Sequence, residues 1–135
     1  MRRFMSDFQS RDRAKQLIDF SGLDYGMTDI DGITEYRDRI WVWCEVKWRG
    51  KPITVGQKLA MERFVKVCQK AKKRCIAIIA DHAIDDAGMD IPIKDCVVRE
   101  VFTTERNSWR KPKRNLTVHE AQSIYIKYWD SRMGA

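Results

Sequence analysis

The chain has 135 residues, of which 44% are hydrophobic and 33% are charged. This length fits one compact domain, and the longest uncharged apolar run, residues 75 to 80, is far shorter than the roughly 20 residues that cross a bilayer. The formal net charge is +7, from 26 basic and 19 acidic residues. A polyanion is therefore the first partner to consider, and a membrane is not expected.

The first elements, in chain order, are a helix and two strands. A possible capping box that starts at Ser6 opens a helix to about Phe20. Residues 25 to 36 are interpreted as a straight or bent strand, in which Gly32 marks a bulge or a close approach. Residues 39 to 48 are rich in β-forming side chains and predict a second strand.

The second half of the chain continues with alternating helices and strands. The apolar spacing and the turn residues predict a helix over 54–73, a strand buried on both faces over 74–81, a strand over 95–103, a basic loop over 105–116 and an amphipathic helix over 117–132. Helices flanking a small mixed sheet place the chain, over residues 1–135, in the α/β or α+β class with a single domain.

The four cysteines are expected to be reduced and mostly buried. They form no Cys-x-x-Cys pair, and each lies in an apolar stretch: Cys44, Cys68, Cys75 and Cys96. With only two histidines, a structural zinc site has few ligands to draw on. The start of the chain lacks the apolar stretch of a secretory signal, so we expect a cytoplasmic protein.

Charged side chains stand two residues apart in each of the first two predicted strands. Because side chains alternate across a strand, Asp29 shares a face with Asp31, and Glu45 shares a face with Lys47. The short connection between the strands favours antiparallel pairing, which would bring an aspartate and Glu45 together. Two carboxylates this close repel each other and favour a divalent cation such as Mg²⁺. A lysine beside them can contact a scissile phosphate or an attacking water.

The order of these motifs resembles the PD-(D/E)XK nuclease superfamily. The resemblance runs over residues 28–81 and rests on Asp31-Gly32, on Glu45-Val46-Lys47 and on Gly56-Gln57 at the start of a helix. More narrowly, the chain is similar to the small Holliday-junction-resolvase-like endonucleases that phages encode. The resemblance implies a restriction-endonuclease-like fold and, for a phage protein, the host cytoplasm as its location.

The resemblance also implies a role for each matched residue. Asp31 and Glu45 would bind Mg²⁺ or Mn²⁺, and the main-chain carbonyl of Val46 would complete the inner shell. Lys47 would activate or orient the water, and Gln57 would support the site from the helix. Gln57 has a second interpretation, as the last residue of a capping box that Thr54 opens.

Two further acids are candidate metal ligands. Asp29 is the alternative to Asp31, which we favour because Gly32 beside it lets the backbone bend and a phosphate approach closely. Relatives in this family tend to carry a glutamate on the first helix, where this chain offers only aspartates. Asp12 is the candidate outer-shell ligand there.

A dense basic segment predicts contacts with a nucleic-acid backbone. The candidate DNA-binding residues in the loop are Arg106, Trp109, Arg110, Lys111, Lys113 and Arg114. Charge runs are often only solvated, but this density in a basic chain favours phosphate contacts, with Trp109 available to stack on an unpaired base. Trp41 and Trp43 are interpreted as packing partners beneath a helix.

These expectations combine into a Mg²⁺-dependent endonuclease that hydrolyses phosphodiester bonds in branched or structured DNA. The resemblance to junction resolvases further implies a homodimer, because symmetric cleavage of two arms needs two sites. The main alternative is a non-catalytic DNA-binding module that keeps the nuclease fold within a recombination or packaging assembly. A third reading is an interaction protein in which Glu45 and Lys47 pair only with each other.

Overall fold

A computed structural model describes residues 20–133, which form one five-stranded mixed sheet with two α-helices. The strands are β1 (Gly32–Tyr36), β2 (Ile40–Trp48), β3 (Arg74–His82), β4 (Val97–Thr103) and β5 (Trp109–Arg110), and the helices are α1 (Val55–Lys70) and α2 (Val118–Asp130). The predicted α+β class with a small mixed sheet is confirmed. Neither helix in this range is long and apolar enough to cross a bilayer.

The strands follow one another across the sheet in chain order. β1 pairs antiparallel with β2 through a tight turn, in which Arg37 and Asp38 have positive φ and Arg39 N–H donates to the Tyr36 carbonyl at 2.9 Å. β2 and β3 are parallel, and α1 supplies the crossover that a parallel pair requires. β4 and β5 then add antiparallel.

Alternation along β2 divides the core into two layers. Ile40, Val42 and Cys44 belong to the cluster that includes α2 residues, whereas Trp43 belongs to the cluster beneath α1. We call these the α2 side and the α1 side of the sheet. β3 is buried on both sides from Cys75 to Ala80, as its continuous apolar run predicts.

Both helices begin at threonine caps. Thr54 precedes α1 and accepts a hydrogen bond from the backbone N–H of Gln57 at 3.1 Å. Thr117 and Glu120 form a reciprocal capping box at the start of α2. These caps fix where each helix leaves the sheet, and the first of them places Gln57 in the opening turn of α1.

Several predicted boundaries are wrong. The strand predicted over 25–36 begins only at Gly32, because the pairing of β1 with β2 starts at the Gly32–Cys44 pair. β4 begins at Val97, after a short 3₁₀ turn at Ile93–Asp95. The predicted basic loop contains the two-residue strand β5, which pairs with β4. The helix predicted to end near Phe20 lies outside the described residues except for Phe20 itself.

Gly32 does occupy a position of close approach. A Cβ atom at this residue would lie 3.3 Å from Cδ1 of Ile93. The neighbour is therefore an apolar side chain of the same molecule, contacted on the α2 side of the sheet. All four cysteines are buried and unpaired, as predicted.

Candidate functional site

Glu45 is a buried carboxyl group on the α1 side of the sheet. Only 1% of its surface is exposed, although β2 carries it near the carboxyl end of the strand. Its Oε2 accepts a hydrogen bond from Trp43 Nε1 at 2.7 Å, and its Oε1 accepts one from Gln57 Nε2 at 3.0 Å. Trp43 and Gln57 thus hold both carboxyl oxygens without supplying a positive charge.

This environment raises the pKa of Glu45 from its ordinary value to about 7. Burial is the largest cause, because a buried carboxylate loses its hydration. The hydrogen bond from Trp43 lowers the pKa, whereas the negative charge of the neighbouring Asp31 raises it further. Glu45 is therefore a carboxyl group whose charge near neutral pH depends on whether a cation is nearby.

Asp31 lies at the open edge of β2, one residue before β1 begins. Its Oδ2 accepts a hydrogen bond from the backbone N–H of Val46 at 2.7 Å. Extending the β1–β2 register by one pair beyond Gly32 and Cys44 puts Asp31 opposite Glu45. The side chain is exposed, and it lines a cavity of about 220 Å³ together with Val46 and His82. The structure thus brings the two predicted ligands together.

Lys47 lies two residues beyond Glu45 on the same side of β2. It is half-buried, and its ammonium group forms no hydrogen bond or ion pair within residues 20–133. Its partner in the β2–β3 register is Asp81. Asp81 is already engaged: its carboxylate accepts hydrogen bonds from Arg99 and from the backbone N–H of Gly50. Lys47 is therefore left available beside the carboxyl pair.

Among the described residues, Asp29 forms no hydrogen bond or ion pair with this group. Asp29 is exposed and precedes the strand, and its carbonyl accepts a 3.4 Å hydrogen bond from the Thr28 hydroxyl. Asp12 lies outside the described residues. Across residues 20–133, no three acidic, histidine or cysteine side chains converge on a common metal position.

The donors present at Asp31 and Glu45 fit a hard divalent cation. The N–H and C=O groups of a strand residue face the same neighbour, so the Val46 carbonyl faces the edge where Asp31 lies. Two carboxylates and one main-chain carbonyl are all oxygen donors, which Mg²⁺ prefers, and Mg²⁺ commonly keeps several waters in its remaining positions. The residue set fits Mg²⁺ or Mn²⁺ better than zinc.

Sequence reasoning missed three residues around the site. Trp43 was expected only to pack, and it does contact Phe64 of α1, with ring centroids 5.3 Å apart; its indole N–H also anchors Glu45. The sequence signal for this hydrogen bond was that Trp43 and Glu45 lie two residues apart on one strand, so their side chains share a side. Asp81 and Arg99 form an ion pair across a β-bulge between β3 and β4, a register that no sequence pattern reveals.

The predicted DNA-binding residues surround β5. The side chains of Arg106, Arg110, Lys111, Lys113 and Arg114 are all exposed. Trp109 differs, because its ring packs against Phe102 and its Nε1 donates to Glu62 at 2.7 Å. Lys58 Nζ lies 5.0 Å from the Trp109 ring centroid. These contacts give Trp109 a packing role within the chain.

Comparisons with protein-family models, with curated proteins and with solved structures gave no match for this chain. The assignment of a function therefore depends on the residues and contacts described above.

Proposed function

We propose that this protein is a Mg²⁺-dependent DNA endonuclease of the PD-(D/E)XK type that acts on branched or structured DNA. The observation that carries the proposal is the position of Asp31, which is bound to the backbone N–H of Val46 and is near enough to Glu45 to raise its pKa, with Lys47 on the same side of β2 as Glu45. Mn²⁺ is expected to replace Mg²⁺. The net charge of +7 is consistent with a polyanionic substrate.

In this proposal Asp31, Glu45 and the Val46 carbonyl would hold the metal ion. When bound, the ion supplies Lewis-acid polarisation of a phosphoryl oxygen and a water of lowered pKa. Trp43 and Gln57 fix the orientation of the Glu45 carboxylate through their hydrogen bonds. Lys47 stabilises the negative charge that grows on the phosphate in the transition state. The resemblance implies a 5′-phosphate and a 3′-hydroxyl as products.

The basic side chains around β5 would contact the DNA backbone. A homodimer acting on two symmetric strands, in the cytoplasm of a cell or of a phage host, completes the proposal. The dimer and the location both follow from the resemblance to junction resolvases.

A second candidate is a non-catalytic DNA-binding module. The observation that favours it is the burial of Glu45, whose two oxygens are already bound by Trp43 and Gln57, with no third acidic side chain at the position within residues 20–133. Such a module would bind DNA through its basic residues and would neither need nor retain Mg²⁺.

Cleavage of a labelled panel of four-way junction, flap, nicked and linear DNA in the presence of Mg²⁺ tests the proposal. We expect cutting of the four-way junction, its loss in Glu45→Ala and Lys47→Ala, and retained DNA binding by both variants. Wild-type cutting by Glu45→Ala would end the metal-site proposal. DNA binding without cutting, together with no heat of Mg²⁺ binding by calorimetry, would identify the non-catalytic module.

A further inference from the structure

A cavity of about 590 Å³ lies at the carboxyl end of β3. Its wall consists of the end of β3, the segment that follows and the 3₁₀ turn before β4, and the apolar part of that wall includes Ile84, Ile91, Pro92 and Cys96. Ligand cavities in proteins measure about 300–1,000 Å³ and are mainly apolar. In sheets with parallel strands, ligands commonly bind beyond the carboxyl ends of those strands. The cavity therefore has the size, lining and position of a site for a small organic group.

This cavity adjoins the site of Asp31. His82 and Ile91 line it, and the same two residues line the cavity of about 220 Å³ whose wall includes Asp31 and Val46. A group that extends from the Asp31 carboxylate past His82 thus enters the larger cavity. In a nucleotide, the base stands in this relation to its own phosphate.

The charged groups of the wall do not suit a phosphate. Arg49 is the one lysine or arginine that lines the cavity within residues 20–133, and Asp85 binds its guanidinium at 2.8 Å. Asp81 is bound by Arg99 and by the backbone N–H of Gly50. With these charges already paired, the cavity favours an uncharged ligand over an anion.

Two side chains of the wall keep hydrogen-bonding capacity. His82 Nδ1 accepts the backbone N–H of Ile84 at 3.1 Å, so the proton of the neutral ring is on Nε2. Within residues 20–133, neither this Nε2–H nor the carboxylate of Asp95 forms a hydrogen bond or ion pair. The wall therefore offers one donor and one acceptor beside apolar surface. An unpaired nucleobase has matching features, with two apolar faces and an edge that carries donors and acceptors.

We propose that this cavity binds an unpaired nucleobase of the nucleotide next to the phosphate at the proposed metal site. The apolar wall would pack against the faces of the base, and His82 and Asp95 would contact its edge. The position of the phosphate rests on the proposed function. The inference narrows the substrate to DNA with an unpaired base beside that phosphate, such as a branch point or a bulge, because a paired and stacked base cannot enter a cavity.

The first experiment is a titration of the wild-type protein with adenosine in EDTA, followed through backbone amide NMR shifts, with ribose 5-phosphate as the control for sugar and phosphate. We expect saturable shifts at Ala83, Ile84 and Cys96 with adenosine only. Ile91→Trp fills the cavity from an exposed loop position and should lose the shifts, whereas Met89→Trp, in the same loop but outside the wall, should keep them. No saturable shift with adenosine, equal shifts with ribose 5-phosphate, or shifts retained in Ile91→Trp would overturn the proposal.

The second experiment compares the binding of two duplexes in EDTA that differ at one bulged position, which holds an unpaired adenine or an abasic residue. The wild type and Met89→Trp should bind the adenine bulge about tenfold more tightly, because the protein contacts the base. Ile91→Trp should bind both duplexes equally, and Asp95→Ala should keep less than about a threefold preference. Equal binding of both duplexes by the wild type, or an undiminished preference in Ile91→Trp, would contradict a base-binding cavity.

Failure of the nuclease proposal has a different signature in the same duplexes. The wild type would then cut neither duplex with Mg²⁺, while its preference for the adenine bulge in EDTA would remain. Normal cleavage together with equal binding of the two duplexes would overturn the base-binding cavity alone.

Discussion

The Asp31 carboxylate accepts a hydrogen bond of 2.7 Å from the backbone N–H of Val46, fifteen residues further along the chain. β1 has not yet begun at Asp31, so its side chain takes the place of the missing strand carbonyl. This contact with a main-chain donor holds the acid beside Glu45. Because this hydrogen bond needs only an oxygen acceptor, a substitution can remove the charge of Asp31 and keep its position.

Asp31→Asn should abolish cleavage while leaving the fold intact. The asparagine carbonyl oxygen can still accept the Val46 N–H, but a neutral amide is a poor ligand for Mg²⁺. We expect cleavage to fall more than about a hundredfold, the upper end of what loss of an outer-shell partner costs, with a melting temperature close to the wild type. Asp29→Asn is the matched control and should cut normally. If Asp29→Asn loses cleavage and Asp31→Asn does not, Asp29 is the metal ligand in place of Asp31.

Stability should depend on pH through Glu45. Its pKa is raised to about 7 in the folded protein, so between the ordinary glutamate pKa and about 7 the folded state binds more protons than the unfolded state. The free energy of unfolding should therefore fall as the pH rises through this window. Chemical denaturation in EDTA at several pH values measures the effect, and Glu45→Gln should lack this part of the slope. A wild-type slope identical to that of Glu45→Gln would show that Glu45 titrates normally.

Mg²⁺ should reverse the effect of Glu45. In the proposed site the ion would bind the ionised carboxylates of the folded protein and not the unfolded chain, so we expect it to stabilise the fold increasingly above about pH 7. Thermal melts with and without Mg²⁺ measure the shift, which Glu45→Gln and Asp31→Asn should lose. A melting temperature that rises equally in all three proteins would indicate binding elsewhere.

The Asp81–Arg99 ion pair should keep Lys47 free. Asp81 is the register partner of Lys47, and its pKa lies below the ordinary value chiefly because Arg99 binds it. Arg99→Met leaves the Asp81 charge unpaired, and we expect Lys47 to turn towards it. Cleavage should fall about tenfold, a coupling within the range measured for contacting residues.

The double variant Asp81→Asn/Arg99→Met removes both charges and serves as the control. Lys47 then has no competing acid, so cleavage should recover to within about threefold of the wild type if coupling through Asp81 caused the loss. Equal activity in the single and double variants would show that Arg99 acts through the fold. Melting temperatures of both variants separate that outcome from simple destabilisation.

Trp109 should contribute to stability more than to DNA binding. Trp109→Phe keeps the contact with Phe102 but loses the hydrogen bond to Glu62, which should cost about 1 kcal/mol of unfolding free energy. DNA affinity should change less than about twofold, whereas loss of a stacked base would cost about 1–3 kcal/mol of binding. A large loss of affinity at an unchanged melting temperature would support base stacking.

Elements with a strong local signal could be predicted from the sequence. β2, α1, β3 and α2 carry alternation, periodicity or threonine caps, and each begins within one residue of the predicted start. The start of β1 was missed because an edge strand ends where its partner stops pairing, which is a tertiary property. β5 was missed for the same reason, since two residues carry no pattern of their own.

The candidate site divides in the same way. Strand alternation predicts that Glu45 and Lys47 share one side of β2, and the antiparallel pairing of β1 and β2 was predicted from their short connection. The engagement of Asp81 by Arg99 could not be predicted, because a register shift between Ile79 and Ala80 determines which residues of β4 face it.

The reliance of Asp31 on a main-chain donor has a consequence for sequence variation. Any residue except proline at position 46 provides the same N–H donor to Asp31. The side chain at this position does not take part in that hydrogen bond, and it packs beside the α2-side core. Isoleucine or leucine exchanges there are expected to be silent for chemistry. We therefore expect apolar substitutions at Val46 to be tolerated, and substitutions of Glu45 or Lys47 not to be.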